Sequence, residues 1–364
     1  MNKNSTDFIL LFAVLTLLAI GIIMIFSASS IRGEELFNDS YHFLKRQIVF
    51  AGIGLVAMLI VMNIDYHIFK KYAKFIILFA IILLAIVLIP GIGKKVGGSR
   101  RWLGIAGLGG QPSEVAKLAL VIYIAQFYTR KNSLIKNFKK GVLPILIVTG
   151  IIFVLVLIEP DLGTATLILA IAFIMLFANG AKIWHLVGLG VVSVPAVFYF
   201  IISAPYRKER FLAFLDPWSD PLDTGYHIIQ SLLALGSGGL FGVGLGNSHQ
   251  KFLYLPEPGT DFIFAIIGEE LGFLATLLVI LLYLVIAWKG LKISYNTQDR
   301  FGSILAMGIT VMIVVQAMLN IAVVTSSMPI TGITLPFISY GGSSLVLFLF
   351  SVGILLSISK RRET

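Results

Sequence analysis

Residues 260–287 read TDFIFAIIGEELGFLATLLVILLYLVIA. Beyond Asp261 the run is apolar for longer than the roughly 20 helical residues that cross a bilayer's hydrocarbon core, and only Glu269 and Glu270 interrupt it. Such a run reads as a membrane-spanning helix, and its polar residues become the informative ones. If the helix starts near Asp261, then Ala265, Gly268 and Gly272 fall within about 40° of it and form a smooth stripe for close helix packing. Asp261 then lies at the membrane interface, at a helix N-terminus. One reading makes Thr260 or Asp261 a dipole-stabilised N-cap. Capping leaves Glu257 and the stiff PEP turn ahead of it unexplained. Glu269 and Glu270 lie about 12 Å deeper on faces about 100° apart, so at least one faces the bundle. Intramembrane carboxylates are functional by default, but a structural hydrogen bond or ion pair is the preferred reading for these two.

The rest of the chain agrees with a lipid environment. Of 364 residues, 58% are hydrophobic and 13% charged, and the mean hydropathy is +0.96. Ten runs qualify as spans, near 8–28, 47–63, 73–90, 113–129, 142–158, 163–179, 183–203, 262–287, 302–325 and 342–358. The expected fold is therefore an all-α polytopic membrane protein with ten transmembrane helices, a single domain over 1–364 without internal repeat. The first run is too long for a cleaved signal peptide and reads as a retained anchor. Lys3, Lys70, Lys71, the cluster at 130–140, Lys182, Lys289, Lys292 and the basic C-terminus place both termini in the cytoplasm. The same bias accounts for the net charge of +10. No basic run is interleaved with aromatics as a nucleic-acid groove requires. With no cysteine, thiol and disulfide chemistry is excluded.

In this orientation the longest loop, about 204–261, is extracytoplasmic, and long loops usually carry function. Its stretch HIIQSLLALGSGGLFGVGLG (227–246) is apolar but too glycine-rich to span. It reads as a re-entrant or interfacial segment, tolerated where protein or water covers its backbone. Arg207, Lys208 and Arg210 lie in this loop, and Arg100, Arg101 and Trp102 in another outer loop. A positive cluster on the outer side runs against topology bias and suits an anionic lipid headgroup. Glu114 and Lys117 are three apart at the start of the fourth span and can pair, with Ser113 as a candidate N-cap. Asp216, Asp220 and Asp223 could ligate a divalent cation, but Asp-Pro steps are more often turns. The five histidines show no metal spacing.

Several motifs together carry a resemblance: GGSRRWLG (97–104), QPSEVAKLAL (111–120), EPDLGTA (159–165), SAPYRKERFLAFLDPWSDP (203–221), GSGGLFGVGLGNSHQKFLYLPEPGTDFIFAIIGEELG (236–272) and PITGITLPFISYGGSS (329–344). Over nearly its whole length the chain resembles the SEDS family of bacterial cell-wall proteins, FtsW, RodA and SpoVE, with YLPEP and TGITLPFISYGGSS closer to the FtsW and SpoVE branch. The resemblance implies a peptidoglycan glycosyltransferase of the bacterial cytoplasmic membrane, serving division or sporulation. It would polymerise lipid II, a disaccharide-pentapeptide on undecaprenyl pyrophosphate, beside a class B penicillin-binding protein and other divisome or sporulation membrane proteins. The family's essential acid falls on Asp261, and Gly259 stands where many members carry His or Gln. Asp261 is then the expected general base, with Arg101, Lys117, Arg207, Arg210 and Glu257 expected at the substrate. Glu114, Glu269 and Glu270 are expected to be structural. The pyrophosphate's charge would be met by the arginines, with or without a divalent cation (Mg or Mn). A single displacement would invert the anomeric carbon. The competing reading is a lipid II flippase, which intramembrane charges and a broken glycine-rich segment also suit.

Overall fold

The structure, a computed structural model, describes residues 7–96, 99–105, 108–130, 134–251, 255 and 258–361. Glu257 and Lys3 lie outside the described residues. Ten helices cover the ten apolar runs: α1 (Phe8–Phe37), α2 (His42–Asn63), α3 (His67–Val87), α4 (Pro112–Arg130), α5 (Leu143–Ile158), α6 (Leu162–Ala178), α7 (Ile183–Ile202), α10 (Ile263–Asn296), α11 (Arg300–Val324) and α12 (Gly342–Arg361). The long connection between α7 and α10 holds two shorter helices, α8 (Pro205–Leu215) and α9 (Tyr226–Ser237). Seven helices are long and apolar enough to cross a membrane by length and composition: α1, α2, α5 with its lead-in turn, α7, α10, α11 and α12. Of the other three, α6 is shorter, α3 carries Lys70, Lys71 and Lys74, and α4 buries Glu114 and Lys117.

The chain is not purely helical. Between α3 and α4 lies a three-stranded antiparallel sheet, β1 (Gly93–Val96), β2 (Ser99–Ile105) and β3 (Leu108–Gly110), in that order. Its strands are short and glycine-rich, so no alternating apolar pattern marks them in the sequence. The sheet holds Arg101 on the central strand, opposite the start of α6.

α10 is broken. Gly272 has φ 78 and ψ −174, outside helical space. The stripe expected from Asp261 through Gly272 therefore ends at the break, because the wheel argument assumes one unbroken helix. Backbone groups freed in an apolar setting must find partners at once. Here the glycine-rich loop after α9 supplies them. Val243 and Gly244 donate to the carbonyls of Glu269 and Glu270 at 2.9 and 3.0 Å, and Phe273 donates to Gly239 at 2.9 Å. Gly242 and Gly244 take φ of 81 and 100 to make this approach. The irregular backbone is covered by α10, as a re-entrant or interfacial segment requires, while Leu240, Phe241 and Leu245 stay exposed. Gly268 still serves close packing, since a methyl on Gly238 would lie 1.8 Å from its carbonyl oxygen.

A second irregular segment, 325–341, runs back into the protein between α11 and α12. Ile333, Leu335, Phe337 and Ile338 are buried. It crosses α1 so closely that a methyl on Gly21 would lie 2.7 Å from the backbone of Phe337 and Ile338.

The break at Gly272 gives a direct test. Gly272→Ala would put a methyl 2.3 Å from the amide nitrogen of Gly242, at a φ that L-residues avoid. It should cost about 2 kcal/mol or more. Gly52→Ala, with nothing within 4 Å of the new methyl, should leave stability nearly unchanged. Thermal unfolding in detergent compares them, and equal melting temperatures would refute the account.

Candidate active site

α10 begins at Ile263, with Phe262 as N-cap and no side-chain cap bond. The capping reading of Thr260 and Asp261 is therefore not realised. Instead, the three residues before Phe262 are held by their carbonyls. Tyr340 donates its backbone N–H to Gly259 O at 2.8 Å. Ser339 Oγ donates to Thr260 O at 2.6 Å, and Asn320 Nδ2 to Asp261 O at 2.8 Å. The half-buried Asp261 side chain faces Gly332, where a methyl would stand 3.5 Å from Oδ2. Gly332 has φ 72, so both its backbone and its lack of a side chain suit the place. Gly259 departs from the His or Gln expected in the family. A side chain there would meet Ser29, whose Oγ would lie 2.2 Å from the new Cβ.

The same irregular segment is gripped from α10 and α11, with α4 behind them. Asn320 Nδ2 also donates to Ile333 O at 2.7 Å, and Gln316 Nε2 to Thr334 O at 3.0 Å. Tyr283 OH donates to Pro336 O. Behind Gln316 lies Lys117, which donates to Gln316 Oε1 and to Glu114 Oε1, the latter at 2.8 Å. Glu114 Oε2 accepts from Ser344 Oγ at 3.2 Å. The predicted Glu114–Lys117 pair is thus present. Lys117, however, is 1% exposed and fully engaged, so it supports the 329–341 segment from behind and does not face a substrate in this state. Ser113 lies inside the first turn of α4, so the cap expected of it is not formed.

Arg101 reaches the region through α6. Its Nη1 pairs with Asp161 Oδ2 at 3.1 Å. Asp161 caps α6 by accepting from Thr164 N at 2.9 Å and Thr164 Oγ1 at 3.0 Å. Gly163, in that first turn, packs so tightly that a methyl would lie 2.5 Å from Thr331 O. Arg101, Asp161, the α6 N-terminus, Thr331 and Gly332 therefore form one chain of contacts leading to Asp261.

Arg207 and Arg210 separate. Arg207 donates to Tyr206 OH at 2.8 Å and to Phe200 O at 3.1 Å, which ties it to the corner between α7 and α8. Arg210 is exposed and acts electrostatically on His227, whose ring lies parallel to that of Phe262 at 6.2 Å. Burial first, then the Arg210 charge, pushes His227 below its ordinary pKa, against Asp223, which raises it. His227 is therefore neutral at neutral pH. Arg210, not Arg207, is the α8 cation linked to the head of α10.

Both Glu269 and Glu270 face inward, at 1% and 0% exposure. Glu269 accepts from Ser248 Oγ and from His249 N, the latter at 2.8 Å. Glu270 accepts from Ser27 Oγ at 2.6 Å, Ser248 N at 3.3 Å and Lys251 Nζ at 3.3 Å. Through these bonds they staple α1 and the loop at 248–251 onto the first half of α10. Two of the three loop aspartates follow the turn reading: Asp216 accepts from Trp218 N at 3.2 Å, and Asp220 from Thr224 N and Oγ1 at 3.3 and 3.1 Å. Among the described residues no group of three or more His, Asp or Glu gathers as a metal cage.

Sequence reasoning did not single out Asp161, Gln316, Asn320, His227 or Lys251 as site residues. Gln316 and Asn320 carry a signal that could have found them. They are amide side chains four apart on one face of an apolar span, where a polar group needs a reason.

The family model named for FtsW, RodA and SpoVE, described as Cell cycle protein, matches residues 8–364. Stage V sporulation protein E of Bacillus subtilis is 48% identical over 359 residues, covering 99% of this chain and 98% of the relative. A probable peptidoglycan glycosyltransferase FtsW of a Geobacter species is 42% identical over 355 residues, covering 98% and 97%. Among solved structures, a chain described under "Structural coordination of polymerization and crosslinking by a peptidoglycan synthase complex" superposes with a TM-score of 0.80 at 28% identity, covering 98% of both chains. RodA of Thermus thermophilus superposes with a TM-score of 0.73 at 27% identity, covering 99% of this chain and 98% of that one.

The buried pair on α4 makes a second prediction. Lys117→Met strands Glu114 as an unpaired buried charge and should cost about 3–5 kcal/mol. Adding Glu114→Gln should recover most of the loss. Thermal unfolding of the two singles and the double reads the coupling, and additive losses would contradict it.

Proposed function

The chain belongs to the FtsW, RodA and SpoVE family, and from that premise we propose a peptidoglycan glycosyltransferase that polymerises lipid II at the outer face of the bacterial cytoplasmic membrane. It serves division or spore cortex synthesis, as the resemblance to the FtsW and SpoVE branch implies. The observation that carries the reading is the setting of Asp261. Its carboxylate is partly exposed beside Gly332, while the backbone of 259–261 is clamped at three successive carbonyls. A rigid, accessible carboxylate at a membrane interface suits a general base for a sugar presented on a lipid.

The acceptor hydroxyl attacks the anomeric carbon of the donor. A new C–O bond forms as the bond to the lipid pyrophosphate breaks. The hydroxyl proton passes to Asp261, and the electron pair leaves with the phosphate. One displacement inverts the configuration. The leaving group gains negative charge, which Arg101 and Arg210 are disposed to meet. The described residues offer no dedicated cage for Mg or Mn. A cation there would depend on substrate phosphates beside Asp261, and no step is assigned to it.

Several further features belong to the same reading. All ten apolar helices cross the membrane, with both termini cytoplasmic and the α8–α9 loop outside. Lipid II serves as both donor and acceptor, and a class B penicillin-binding protein crosslinks the product. The peptidoglycan synthase complex that contains a similar chain supports such a partner. Against the flippase reading, Glu114 with Lys117 and Glu270 with Lys251 are paired and packed, so these intramembrane charges serve each other instead of a transported group.

The test uses purified protein and labelled lipid II, with and without the partner synthase. Asp261→Asn and Asp261→Ala should lower polymerisation by about 10²–10⁴-fold while keeping the melting temperature. A folded Asp261→Ala protein that polymerises at the wild-type rate removes Asp261 as the base. Lipid II translocation in liposomes without any polymer would favour the flippase.

A further inference from the structure

Glu159 closes α5, two residues before Asp161. Its side chain is fully buried, and neither carboxyl oxygen has a protein hydrogen-bond partner among the described residues. Two charged groups act on it: Asp161 at the start of α6 and Arg101 on β2. Lys117, the buried cation of α4, is committed to Glu114 and Gln316. Arg101 uses Nη1 on Asp161, while its Nε is buried without a protein partner. An ionised Glu159 would therefore find an unused donor on the guanidinium that now serves Asp161. Two carboxylates would then compete for one cation at the cap of α6.

We infer that Glu159 is a positioning residue that works as a neutral acid, leaving Arg101 to Asp161 and keeping the start of α6 seated against Thr331 beneath Asp261. The inference rests on the polymerase reading above. Its physical basis is the cost of a second buried negative charge. Burial first, and then Asp161, push Glu159 up to about 9, with Arg101 opposing. On the acidic side of that value the residue carries its proton and Arg101 has one carboxylate to serve. On the alkaline side the proton leaves, Nε is drawn towards Glu159, and the α6 cap loosens. Glu159 touches neither the acceptor nor the leaving group, so its effect reaches the reaction only through Arg101 and Asp161.

The experiment is the pH profile of lipid II polymerisation for wild type and Glu159→Gln, with melting temperature followed over the same range. The amide keeps the shape of the neutral acid and cannot ionise. The variant should polymerise within about twofold of wild type near neutral pH, and its alkaline decline should move upward by about one pH unit or more. The sign for stability follows from linkage. The folded state holds this proton more tightly than the unfolded chain does. Wild type should thus lose melting temperature relative to Glu159→Gln as pH rises from the ordinary glutamate value of 4.5 towards about 9. Superimposable alkaline declines in the two proteins overturn the inference. So does a folded Glu159→Gln protein that is inactive near neutral pH, because the ion would then be the working form. If the variant does not fold, infrared difference spectra of wild type decide: a protonated-carboxyl band must vanish as pH passes about 9. If wild type makes no polymer at all, the polymerase reading fails, and the melting profiles still report whether Glu159 is neutral.

Discussion

Irregular backbone inside an apolar protein has no water to turn to, and the 329–341 segment is that case here. Its carbonyls must be met by side chains or left at a cost of several kcal/mol each. Asn320, Gln316 and Tyr283 meet three of them. Gln47 Nε2 lies 3.5 Å from a fourth, Ser339 O. Those obligations explain polar residues that would otherwise be out of place on apolar helices. They also fix the segment, and through Ser339 and Tyr340 the segment fixes 259–261. Asp261 is held where it is because a backbone elsewhere had to be satisfied.

The same necessity recurs at the break in α10. Gly272 frees carbonyls and amides, and the 239–244 loop takes them up. Below that junction, Ser27, Ser248 and Lys251 close around Glu269 and Glu270. The stretch carrying Asp261 is therefore anchored from both directions, by 329–341 ahead of it and by the 239–251 loop behind it. Arg101 and Asp161 add a third support through α6. These supports all rest on buried polar contacts, in which a lost partner is far more damaging than an average surface bond.

What the sequence made legible was what repeats or lies close. Apolar runs located ten helices, because bilayer thickness sets their length. Glu114 and Lys117 were readable as a pair, since three residues place them on one face. Glu269 and Glu270 could be read as structural, and the Asp-Pro steps as turns. The family motifs brought Asp261 forward. Pairings across long separations were not readable. Arg101 meets Asp161 sixty residues away, and nothing local announces it. Lys117 reads equally well as a ligand or a support until its burial is known. Gly272 looked like one more small residue on a stripe, since helical periodicity cannot reveal where a helix stops being one. The β1–β3 sheet escaped notice because it is held by local backbone pairing without a hydrophobic pattern.

The interlock between the 239–244 loop and α10 is a matter of register as well as energy. The amides of Val243 and Gly244 meet the carbonyls of Glu269 and Glu270, and the amides of Phe273 and Leu274 meet the carbonyls of Gly239 and Leu240, so the loop works like teeth on a rack. Adding or removing one residue between Gly239 and Gly244 would slide these teeth and leave polar backbone without its partners. The exposed turn at 216–224 is held more locally, since Asp216 and Asp220 bond to their own neighbours. Chain length between α7 and α10 should therefore vary among relatives on the α8 side and stay fixed over 239–244. In that sense the glycine-rich stretch behaves as a ruler: it measures the distance from α9 to the break in α10, one residue at a time.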